Sequence, residues 1–105
     1  MKPWLGVAQA SIHIYGSTSL KDRRHVVRSL LDRTKLHMNV SSADLGPQEA
    51  YERADLAFSC VSSSHAEAND RMESLCSFLD KQAQNGEFEV LAVSYEVFAY
   101  GDVSH

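Results

Sequence analysis

The chain has no apolar run long enough to cross a bilayer, only two cysteines and no excess of positive charge. A spanning helix needs about 18 consecutive apolar residues, so no membrane partner is expected. The opening MKPWLGVAQASIHIYG is interrupted by Gln9, Ser11 and His13 and reads as a strand, not a signal peptide. Cys60 and Cys76 lie inside apolar patterns with no C-x-x-C and no histidine at ligand spacing. That excludes a disulfide framework and a zinc ribbon, and predicts two buried free thiols in a reducing, cytoplasmic setting. The histidines, His13, His25, His37, His65 and His105, form no H-x-x-x-H or H-x-x-E-H set. Neither a metal site nor a cofactor is expected.

What is present is a globular composition. With 44% hydrophobic residues and a net charge of -4, the 105 residues can bury one core but not two. A single domain over residues 1–105 follows, ordered from about residue 4 to about residue 100 with a short polar tail, Gly101 to His105, expected to fray.

From Leu5 to Ile14 the residues alternate, placing Ala8, Ala10, Ile12 and Ile14 on a core face and Val7, Gln9, Ser11 and His13 on the other. Tyr15-Gly16-Ser17-Thr18 ends that strand, and Ser17 or Ser19 is placed to cap a helix. On a helix from about Leu20, Leu20, Val27, Leu30, Leu31 and Thr34 share one arc. A second strand is expected over Met38–Leu45, ended by Gly46-Pro47, then a short helical turn over Gln48–Arg53. A third strand carries Leu56, Phe58 and Cys60 inward. Ser64-His65-Ala66-Glu67 has capping-box form and opens a second helix with the stripe Ala68, Met72, Leu75, Cys76 and Leu79. Asn85-Gly86 stops it, and Phe88–Phe98 is the last strand.

The order βαββαβ, with each helix apolar on one side, predicts an α+β fold of the ferredoxin-like kind: a four-stranded antiparallel sheet with two helices on one face. Right-handed crossovers put the first and third strands in the centre. The other face then carries Val7, Gln9, Ser11, His13, Ala57 and Val61.

Several short runs, in order, resemble a known family. They are Gly6-Val7, Ile12-His13-Ile14, Gly16-Ser17 with Ser19-Leu20-Lys21, Arg24, and Ser29-Leu30-Leu31-Asp32-Arg33. Asn39-Val40-Ser41, Arg53-Ala54 and Cys60-Val61-Ser62 continue the series. Together they are similar to the YlxP-like family of small bacterial proteins of unknown function. That resemblance implies a ferredoxin-like fold, a gene neighbourhood of transcription, translation initiation and ribosome maturation, and no established catalytic residues. Tyr15, where the family commonly has a proline, and Gly46-Pro47 depart from its pattern.

The charges are segregated. Six of the ten bases, Lys21, Arg23, Arg24, Arg28, Arg33 and Lys35, fall between positions 21 and 35. Helical rotation gathers Lys21, Arg24, Arg28 and Lys35 into a stripe with Asp32 at its edge. Such a stripe is either a solvated helix face or a footprint for phosphates. Overall acidity opposes strong non-specific nucleic-acid binding, so the footprint is a restricted one. Base stacking on the sheet is excluded, because Gln9, Ser11, His13, Ala57, Ser59 and Val61 supply no aromatic platform. The first reading is therefore a non-enzymatic protein that contacts RNA or a ribosome through the stripe. A second centres on Gly16, Ser17, Thr18 and Ser19 with Arg23 and Arg24, as an anion or small-molecule site or an enzyme. A third is a structural, self-associating domain, and the mixed face beside Val7 and Val61 suits a homodimer.

Overall fold

Alternation of small and large apolar residues with polar ones makes β1 (Trp4–Ile14) a strand with two unlike faces, and the rest of the sheet forms around it. The computed structural model describes residues 1–102. The elements follow as α1 (Leu20–His37), β2 (Ser41–Gly46), β3 (Arg53–Ser62), α2 (His65–Ala83) and β4 (Phe88–Ala99). The strands form one sheet in the order β2-β3-β1-β4, every neighbour antiparallel. This is the expected ferredoxin-like βαββαβ arrangement, with β1 and β3 in the centre.

Ala8, Ala10, Ile12 and Ile14 of β1 and Leu56, Phe58 and Cys60 of β3 are buried together with Met72, Leu75 and Leu79 of α2 and Val27 and Leu30 of α1. Ser19 caps α1, its hydroxyl accepting from the Asp22 N–H at 3.0 Å. Ser64 caps α2 in the same way through the Glu67 N–H at 3.2 Å. Gly86 takes a positive φ of 82°, which only glycine adopts without strain, and turns the chain into β4.

Four local expectations change. Leu20 is 42% exposed, and the buried row of α1 is Arg23, Val27, Leu30 and Thr34, so an arginine occupies a core position. Met38 and Asn39 are extended or irregular but unpaired, and β2 starts only at Ser41. Gln48 to Glu52 make turns, not a helical segment, and β3 begins at Arg53. Cys60 is buried, but Cys76 is half-buried, its thiol pushed up by partial burial and then by Asp80. At the C-terminus the Tyr100 N–H bonds the Pro3 carbonyl at 2.8 Å and Lys2 pairs with Asp102, while Val103 to His105 lie outside the described residues.

Candidate nucleic-acid interface

A helix packed on a sheet must turn its charged residues away from the core. On α1 that rule holds for all the early bases but one. Lys21, Arg24 and Arg28 are exposed and line one side of a shallow depression of about 570 Å³ with His25, Ser29, Asp32, Arg33 and Leu36. Lys35 is exposed further along the helix but is not part of that lining. Arg33 leans off the stripe towards Glu87, 3.7 Å away, with its Nε and Nη2 shut off from solvent without a hydrogen bond. Among the described residues, four bases thus stand free along the helix, opposed locally by Asp32. Leu36 is 90% exposed beside them, an apolar contact next to a charged one.

Arg23 has a different task. Its guanidinium donates twice to Asp44, Nη1 to Oδ2 at 2.8 Å and Nη2 to Oδ1 at 2.9 Å, while Nε donates to the Arg53 carbonyl at 2.9 Å. Asp44 is held low in the carboxylate range chiefly by Arg23, against the opposing effect of burial, and it also accepts from the Gly46 N–H at 2.9 Å. This clamp ties α1 to β2 and β3. The helical spacing could have revealed it, since position 23 precedes Val27, Leu30 and Thr34 by four, seven and eleven residues.

The loop before α1 is similarly spent. Gly16 takes a positive φ of 68°, and Ser17 is buried with its hydroxyl 3.4 Å from the Ser19 carbonyl. The Thr18 N–H and hydroxyl both donate to Asp22 Oδ2 at 3.1 Å, and these contacts lower the Asp22 pKa, the backbone one most. A carboxylate of the chain itself therefore occupies the place of a bound anion. Of the six residues expected to form an anion site, Arg23 points inward to Asp44, Ser19 caps the helix, and only Arg24 has a free charge. The arrangement suits a rigid helix start more than a ligand cradle.

On the sheet face away from the helices, β1 presents Leu5, Val7, Gln9, Ser11 and His13, and β3 presents Arg53, Asp55, Ala57, Ser59 and Val61. None is Phe, Tyr or Trp, so bases have no stacking platform on the central strands. Among the described residues, no three His, Cys, Asp or Glu side chains converge as metal ligands.

Residues 5–95 match the family model described as a protein of unknown function, DUF503. The chain belongs to that family. It is also 30% identical over 76 residues to the uncharacterized protein YlxP of Bacillus subtilis (strain 168), an alignment covering 72% of this chain and 83% of that protein. The resemblance read from the short motifs is thereby shown, and neither comparison names a ligand or a reaction.

Proposed function

We propose that this protein is a non-enzymatic binding protein that contacts RNA phosphate, free or in a ribosome, with the exposed face of α1. The observation that carries this reading is the row of free bases Lys21, Arg24, Arg28 and Lys35 on one rigid helix of an otherwise acidic chain. Lys and Arg on a helix neutralise phosphates without reading bases, and release of counterions supplies the affinity. On α2 the acids Glu67, Asp70, Glu73 and Asp80 outnumber Arg71, which pairs with Glu67, and Lys81, so that helix repels the same phosphates and orients the contact. Two free cysteines fit a cytoplasmic site of action.

Affinity purification from the native cell, with and without nuclease, tests the partner: recovery of ribosomal RNA that nuclease abolishes is the expected result. In vitro, replacing Arg24 and Arg28 together by Gln removes about two phosphate contacts. The slope of log affinity against log salt should then shrink in magnitude by about 1 to 2. Equal affinity and equal slope in the double variant would remove the stripe as the contact.

A further inference from the structure

The open sheet face is divided lengthwise. At one end Leu5 of β1 is flanked in register by Val61 of β3 and Phe98 of β4, and Val61 is 65% exposed. At the other end His13 is flanked by Arg53 on β3 and Glu89 on β4. Arg53 lies 3.4 Å from Asp55, which accepts from the Ser11 hydroxyl at 2.7 Å, and Glu89 accepts from the Tyr15 hydroxyl at 2.9 Å. One apolar end and one polar end, with a base on one flank of β1 and an acid on the other, restrict what can pack there.

We propose that two copies of this chain pair through this face as a two-fold dimer whose axis runs along β1. Rotation about that axis keeps each level of the sheet and exchanges its flanks, so β3 of one protomer lies over β4 of its partner. At the polar end, Arg53 then meets the partner's Glu89 and Glu89 meets the partner's Arg53. At the apolar end, Val61 meets the partner's Phe98, Phe98 meets the partner's Val61, and Leu5 and Val7 meet their own copies. Between them the Ser59 hydroxyl stands opposite the partner's Glu96, a donor against an acceptor, since Val7 pairs with Ser59 on one side and Glu96 on the other. A two-fold axis across the strands would instead set the apolar end of one copy on the polar end of the other. Charge complementarity therefore selects a second copy, and selects one of its two possible directions.

Aligned sheets pack about 10 Å apart with their strand directions within about 30° of each other, so the strands of both copies run close to the common axis. The face offers roughly 600 Å² from each protomer, near the lower end of a stable interface. Asp55 does not enter it unpaired, being already bound to Ser11 and Arg53.

Sedimentation of the full chain, followed from micromolar to about 200 micromolar, tests the pairing. The wild type is expected to dimerise, while Arg53→Glu and Glu89→Arg, each turning two attractive contacts into two repulsive ones, weaken the dimer about tenfold or more. Mixing the two variants makes both flanking pairs attractive again. A heterodimer formed only on mixing is the signature of this register. Val61→Asp, at a position already exposed in the monomer, also dissociates the dimer while leaving the circular dichroism and melting of the monomer intact. A wild type that stays monomeric at the top concentration overturns the proposal. So does a dimer that survives either charge reversal or Val61→Asp, or a mixture that fails to associate.

Discussion

Arg23 shows how one residue can be misread from its type. A fully charged arginine in a basic run looks like part of a surface, yet its side chain is only 4% exposed and each of its three guanidinium nitrogens is bonded, to Asp44 or to a backbone carbonyl. The apolar row of α1 was visible in the periodicity, but the charge concealed that position 23 belongs to it. Removing one partner leaves the other charge buried without compensation. Asp44→Asn should therefore lower stability at neutral pH by about 1.5 to 3 kcal/mol, read from urea unfolding. The carboxyl of Asp44 is depressed in the fold and binds its proton more readily in the unfolded chain, at about pH 4. Its contribution is thus present above about pH 4 and is lost as the pH falls through the depressed folded value. The wild type should lose stability on acidification below about pH 4, and Asp44→Asn should reduce that slope. Asp22 and Asp55, depressed in the same direction by the Thr18 backbone N–H and by the Ser11 hydroxyl, leave the variant a residual slope.

At the scale of elements, what the sequence disclosed depended on which forces placed each segment. The order βαββαβ and the inward faces of β1, β3 and α2 follow from alternation and a 3.6-residue period, and those contacts make the core. The N-terminus of β2 and the turn before β3 follow instead from pairing partners distant in the chain. Val40 is buried and sits in a strand-like sequence, but backbone pairing with β3 starts at Ser41. Arg53 and Asp55 hid the first residues of β3 because their charged side chains occupy its open face. The candidate site was legible as a stripe, since helical rotation singles out Lys21, Arg24, Arg28 and Lys35, while the tasks of Arg23 and Arg33 were illegible, because they depend on Asp44 and Glu87 arriving from other elements. The seat of α2 on β1 was equally hidden: a Cβ on Gly6 would stand 2.7 Å from Met72 Cγ and 3.1 Å from Cys60 Sγ. Gly6→Ala should cost about 1 to 3 kcal/mol by overpacking a wholly buried side chain. Met72→Ala should be less harmful in that background than in the wild type, a coupling that a double-mutant cycle in urea measures. Phe58→Ala, at the middle of β3, should cost about 3 to 5 kcal/mol, and an unchanged melting temperature would remove Phe58 from the core.

For the whole molecule, the helix layer and the open sheet face lie on opposite sides, so an RNA contact on α1 and a pairing of open faces do not compete. Pairing leaves both α1 stripes outward, one on each side of the dimer. Two outward sites on one particle convert the second contact with a long RNA into an intramolecular event, which raises the apparent affinity by an effective concentration and adds no new contact. A short oligonucleotide able to reach one stripe gains nothing from the second. Val61→Asp, which separates the protomers without touching α1, should therefore leave the affinity for a short oligonucleotide unchanged and reduce that for a long RNA by about tenfold or more. Arg24→Gln with Arg28→Gln should weaken both, because each stripe itself is damaged. Binding titrations of the two variants against a short and a long RNA at one fixed salt concentration separate the effects. Equal losses on both lengths for Val61→Asp would mean that the sheet face itself touches RNA. No loss on either length would mean that the two stripes of a dimer never engage one RNA together.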